Sequence, residues 1–284
     1  MKRIFILLPA IIFSLHVHSQ NWLLARAATG SGQQEGLSIA TDASGNVFVT
    51  GYFASPTITF GTTTLTNAGQ YDIFLVKYDG TGNVLWAKSA GGTGGDEGWS
   101  VSTDASGNVF ATGVFSSPTI TFGTTTLTNA GIAAIFIVKY DGAGNVLWAK
   151  SAGGIGGDGG YSVATDVAGN VFATGVFSSP TITFGTTTLT NTSGGYADIF
   201  LVKYDGIGNV LWAKNAGGTV DDYGWSAATD VSGNVFVTGY FTSATITFGT
   251  TTLINNSFAG MEDIFLVKYD GAGNVLWAKS AGGT

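Results

Sequence analysis

Twelve side chains have the type and placement to do chemistry. Five are acids in glycine-rich connections: Asp96, Glu97, Asp158, Asp221 and Asp222. Four aromatics stand beside them, Trp99, Tyr161, Tyr223 and Trp225. Tyr71, Tyr196 and Phe258 sit in a second set of variable segments. Adjacent carboxylates such as Asp221 and Asp222, or Asp96 and Glu97, are the raw material of acid–base hydrolysis of sugars. Carboxylate and carbonyl oxygens together can hold calcium. Flat aromatic faces can stack on sugar rings. Each has a plainer reading beside it. Adjacent residues on a strand point apart. No stretch has the Asp-x-Asp/Asn-x-Asp/Asn-Gly spacing and distant Glu of a calcium loop, so solvated acids and no cofactor are expected. Aromatics at repeated positions also serve as packing between repeated units.

Other chemistry is excluded. Lys2 and Arg3 precede an apolar run of twelve, Ile4 to Leu15, and small residues follow at Val17 and Ser19. Residues 1–19 are therefore read as a cleavable signal peptide. Twelve apolar residues are short for a bilayer span. Both histidines, His16 and His18, leave with that segment, and there is no cysteine. Ser-His-Asp and Cys-His nucleophiles and any His- or Cys-ligated zinc are then out of reach. Eleven cations fall to nine against 18 acids. No basic patch remains to neutralise phosphates, so nucleic acid is excluded as a partner.

The elements that must position these residues are repeats. Asp42, Asp104, Asp166 and Asp230 recur at spacings of 62, 62 and 64 residues; Trp86, Trp148, Trp212 and Trp277 recur at 62, 64 and 65. Repetition on this scale fixes the architecture before anything else. Each unit reads as four strands, in the first copy a short Ser38–Thr41, then Asn46–Phe53, Asp72–Tyr78 and Asn83–Ala90. Asp-Ala-Ser-Gly and Asp-Gly-Thr-Gly join them in pairs as hairpin turns. The third strand is apolar on both faces, Ile73 and Leu75 against Phe74 and Val76, which places it between two packed sheets. Small meanders that cannot bury their own faces predict an all-β fold, a β-propeller of four blades of about 62 residues. A β-solenoid is the rival, with rungs much shorter than this period.

The units run at about 37–92, 99–154, 161–218 and 225–284 within a repeat region 20–284, and residues 21–30 match the last strand of a unit. Asn21 aligns with Asn83 and Arg26 with Lys88. That leaves one outer strand too many. The expectation is an incomplete ring, with further units outside this sequence or an unpaired edge strand open to self-association. Between the second and third strands each unit inserts a threonine-rich hairpin, Thr57–Asn67 in the first copy, read as lying over the blade edge. The hairpins and the variable connections leave the blades at one end. That face is the expected binding surface, because loops on a rigid scaffold are where binding is usually placed.

The strings DASGNVFVTG, from Asp42, and DIFLVKYDGTGNVLWAK, from Asp72, recur in one order four times. They resemble the bacterial beta-propeller repeat family called SBBP, over nearly all of residues 21–284. The resemblance implies a secreted or cell-surface bacterial protein and brings no catalytic residues with it. The reading from sequence is thus an exported, non-catalytic binding or structural module for a glycan or an extracellular protein. A carbohydrate-active enzyme using loop carboxylates and a purely architectural repeat are the alternatives.

Overall fold

A computed structural model describes residues 27–257 and 260–283. The expected signal peptide, residues 21–26 of the expected leading strand, and Phe258 lie outside the described residues.

The first unit contains β1 (Gln34–Thr41), β2 (Val47–Phe53), β3 (Thr57–Phe60), β4 (Thr63–Thr66), β5 (Asp72–Tyr78) and β6 (Val84–Ala90). The second contains β7 (Asp96–Thr103), β8 (Val109–Phe115), β9 (Thr119–Phe122), β10 (Thr125–Thr128), β11 (Ala134–Tyr140) and β12 (Val146–Ala152). The third contains β13 (Asp158–Thr165), β14 (Val171–Phe177), β15 (Thr181–Phe184), β16 (Thr187–Thr190), β17 (Asp198–Tyr204) and β18 (Val210–Ala216). The fourth contains β19 (Asp222–Thr229), β20 (Val235–Phe241), β21 (Thr245–Phe248), β22 (Thr251–Ile254), β23 (Asp263–Tyr269) and β24 (Val275–Ala281). In every unit the four long strands form an antiparallel sheet in chain order, and the two short ones pair as a separate hairpin. The architecture is all-β, four blades in an open arc.

The turns show why the sequence repeats where it does. In the first, Asp42 Oδ1 accepts from the backbone N–H groups of Ser44 and Asn46, and Oδ2 accepts from Asn46 Nδ2. Gly45 takes φ 78°, a value that only glycine adopts without strain. The same pattern recurs at Asp79, where the N–H of Asn83 and the Thr81 hydroxyl lead in holding the carboxyl down to about 2. These turn carboxylates are engaged by their own loops.

The innermost strands of successive blades lie side by side, β1 with β7, β7 with β13, and β13 with β19. Hydroxyls stitch them: Ser38 Oγ accepts from Val101 N, and the Thr103 hydroxyl donates to Thr41 O. The third strand packs its Ile and Leu onto the next blade. Ile73 and Leu75 thus share a core with Val101, Ala111, Phe136 and Val138. The third strands of the first three blades also carry a buried lysine. Lys139 Nζ donates to Gly206 O of the next blade, pairs with Asp104 at 3.6 Å, and stands 5.0 Å over the Phe110 ring. Lys139→Met leaves Asp104 buried without its cation and is expected to cost about 2–4 kcal/mol. Urea denaturation of the variant measures this; adding Asp104→Asn should recover part of the loss.

Two expectations are corrected. The first strand is twice as long as the sequence suggested, because a β-bulge at Gly36/Ser38 continues the pairing from Thr41 back to Gln34. The inserted hairpins do not rise from the variable face. Ile58, Phe60 and Leu65 are buried against Phe74, Val76 and Ala87, so the hairpin folds down the outer rim beside the fourth strand. Its Gly61 turn reaches Val84, at the opposite end of the blade.

Candidate functional site

The bulge in the first strand recurs in all four units, at Gly36/Ser38, Gly98/Ser100, Gly160/Ser162 and Gly224/Ser226. The residue left out of the pairing is Leu37, Trp99, Tyr161 or Trp225. A bulge bends a strand and re-aims one side chain. Here it gathers the four residues at the innermost strands, around a cavity of about 480 Å³ lined by those side chains.

The rings stack along the arc. Trp99 and Tyr161 centroids are 4.7 Å apart, and Tyr161 and Trp225 are 4.5 Å apart at 18°. Tyr223 lies 5.0 Å from Tyr240 and 5.8 Å from Trp225. The inner faces of the row are therefore used on one another. Trp225 ends the row and is 48% exposed. Glu97 accepts from Trp99 Nε1 at 2.8 Å and fixes that indole. Burial raises the phenol pKa of Tyr161, with Tyr223 and Tyr240 adding to it. Burial likewise raises that of Tyr223, with Asp221 adding. The phenols are thus neutral hydrogen-bonding groups at ordinary pH.

The acids part company. Asp96, Asp158 and Asp222 begin the innermost strands and are buried, not solvated. Asp96 accepts from Gly92 N, Ser116 N, Ser117 N and the Ser117 hydroxyl. Asp222 accepts from Gly218 N, Ser243 N and the Ser243 hydroxyl. Asp221 points the other way and accepts from Ala197 N at 2.8 Å. The adjacent acids therefore diverge along the strand. Among the described residues no group of three or more His, Cys, Asp or Glu could hold a metal ion.

Tyr71 rests edge-on against Tyr52 at 5.1 Å, on the first blade. Tyr196 is exposed before β17 and has no ring partner among the described residues. Sequence reasoning passed over Tyr52 and Tyr240, which stand on β2 and β20 where the middle blades carry Val114 and Val176. That substitution was the available signal. Burial, and then Glu35, pushes the Tyr52 phenol up to about 12.

No family model matches the chain. It is 27% identical, over an alignment of 308 positions that covers 85% of its own length, to an uncharacterized WD repeat-containing protein of Acanthamoeba polyphaga mimivirus. It is 30% identical over 89 residues, 31% of its length, to the regulatory protein FlaEY of Caulobacter vibrioides. The chain spans 22% of the first relative and 9% of the second. Four-stranded meanders around a row of innermost strands, with a WD-repeat relative over most of the chain, define a repeat protein of the β-propeller kind. A binding or architectural role goes with that class. No helix among the described residues is long and apolar enough to cross a membrane.

Proposed function

We propose that this chain is an exported, non-catalytic binding module of the SBBP type, acting at a bacterial surface or outside the cell. Its site is the row Leu37, Trp99, Tyr161 and Trp225. One observation carries the reading: the same bulge, four times over, turns an otherwise regular strand to aim a large apolar side chain at one cavity. Packing between blades uses the inner ring faces and leaves the face of Trp225 and the ring edges for a ligand. The preferred ligand is a protein segment with apolar side chains, since most ring faces are already stacked and edges remain. WD-repeat propellers generally bind proteins, which supports that choice. A glycan is the second reading, favoured by the half-exposed face of Trp225 beside Tyr223 and Tyr240.

Tryptophan emission under titration tests both. Probes are a library of apolar peptides and a panel of β-linked gluco-, xylo- and chito-oligosaccharides. Trp225→Ala and Trp99→Ala should each weaken binding of the responsive probe at least about tenfold, the scale of a buried aromatic anchor. An outer-strand control, Leu147→Ala, should leave it unchanged. No response from any probe, or equal affinity in all variants, removes the row as a site. Polysaccharide turnover that is lost in Asp221→Asn/Asp222→Asn would instead favour the enzyme.

A further inference from the structure

The two ends of the arc carry the two halves of a junction that the chain builds three times internally. At each internal junction the Ile and Leu of a third strand are covered by the next blade. Ile199 and Leu201 are 3% and 2% exposed. Their counterparts on the last blade, Ile264 and Leu266, are 60% and 41% exposed. On the first blade the receiving face is open too. Ile39 is 68% exposed where Val101 and Val163 are each 5% exposed. With Val49, Phe74 and Val76 it lines a cavity of about 480 Å³.

The polar parts of the junction are split in the same way. Lys203 Nζ and Trp212 Nε1 both donate to Gly271 O of the next blade. The last blade presents the same donors, Lys268 and Trp277, and the first blade presents Gly80 O at the accepting position. Among the described residues these three do not meet a junction partner, and Lys268 turns in to Asp230 at 3.1 Å. Glycine tells the same story. A Cβ on Gly98, Gly160 or Gly224 would stand 2.4–2.7 Å from the Thr hydroxyl of the preceding blade. Among the described residues a Cβ on Gly36 meets only Val49, at 3.4 Å. Gly36 clears space for a neighbour, and the matching hydroxyl, Thr238, is exposed at the far end.

We propose that the occupant of the first blade's open face is the last blade of a second copy of this chain, docked head to tail. Ile264 and Leu266 then cover Ile39 and Val49, Trp277 and Lys268 donate to Gly80 O, and Thr238 fills the space over Gly36. The surface is a sheet face and not a strand edge. The outer place beside β3 has two claimants, β24 of the incoming blade and the chain's own leading segment. Leu24 stands in that segment where β24 carries Trp277, so β24 keeps the place and Thr29 releases its two bonds to Thr59. The contact is heterologous, so it closes a ring or propagates. It rests on the fold and is independent of any ligand at the aromatic row.

The test is sedimentation or light scattering of purified chain across a concentration series. Wild type should associate with concentration. Leu266→Arg and Ile39→Arg alter exposed positions, so each chain should stay folded by circular dichroism. Each should weaken association at least about a hundredfold, since each buries an unpaired guanidinium. Mixing the two should restore a 1:1 dimer, because one retains an intact last blade and the other an intact first blade. A wild type that stays monomeric throughout overturns the proposal. So does an Ile39→Arg variant that associates like wild type, which would mean that last blades pair with each other.

Discussion

Asp158→Ala is expected to lower stability by about 3–5 kcal/mol, the cost of leaving several buried donors without a charged acceptor. Asp158 is 1% exposed and accepts four hydrogen bonds. Gly154 N and the Ser179 hydroxyl reach Oδ2 at 2.8 and 2.6 Å, and Ser178 N and Ser179 N reach Oδ1 at 3.1 Å. One carboxylate therefore ties the link entering the blade to the segment leaving its second strand. Alanine supplies no acceptor, and the site is too enclosed for solvent to replace it fully. Urea denaturation measures the loss, and Asp96→Ala should give a similar value. The first blade provides the control. Gln34 holds the equivalent place and donates to the Ser55 hydroxyl at 2.9 Å, a neutral bond at a half-buried position. Gln34→Ala should cost about 1 kcal/mol or less. Equal losses at Gln34 and Asp158 would show that the carboxylate is not what pins the link.

That pair of positions also marks what the sequence could disclose. The meander was legible because its signals are local: Asp-x-x-Gly-Asn turns, strand-length apolar runs, and a fixed period. The double burial of the third strand was legible from Ile73 to Val76. The fate of Asp96, Asp158 and Asp222 was not. An acid in a glycine-rich stretch looks solvated until Ser117, Ser179 and Ser243, 21 residues later, are brought against it. The bulge was hidden for a similar reason. Gly98, Trp99 and Ser100 read as the start of a strand, and only pairing with β8 shows that Trp99 is the residue left over. Alternation of Ile58 and Phe60 gave the inserted hairpin and its place over the blade edge, but not that it leaves the variable face. The hairpin's apolar side follows the nearest uncovered core, which lies down the rim.

Stability should rise as pH falls from 7 to about 4.5, and Asp72 and Asp198 are the cause. Each begins a third strand, is nearly fully buried, and has an Oδ1 with no hydrogen-bond partner. Burial pushes each carboxyl up to about 6; a backbone donor opposes the shift at each, the neighbouring Asp96 or Asp222 adds to it, and at Asp198 the Ser193 side chain opposes it further. The folded chain thus holds a proton more tightly at these sites than the unfolded chain, whose carboxyls titrate near 4. Their favourable contribution is complete below about pH 4 and is lost as pH rises through about 6. A two-unit shift corresponds to about 2–3 kcal/mol at each site. The turn carboxylates act in the opposite direction. Asp79 and Asp230 are held down to about 2, the latter chiefly by the Asn234 side chain, so their contribution disappears as pH falls from about 4 to 2. Maximum stability is expected at about pH 4–5, between the two windows. Thermal melts from pH 3 to 8 measure the profile. Asp72→Asn/Asp198→Asn should melt higher than wild type at pH 7 and lose the slope between about 4.5 and 7. The second unit already carries Ala134 at this position, so the fold does not need a charge there. A double variant that melts lower at pH 7 and keeps the slope would mean that both carboxylates are ionised and paired in the folded chain.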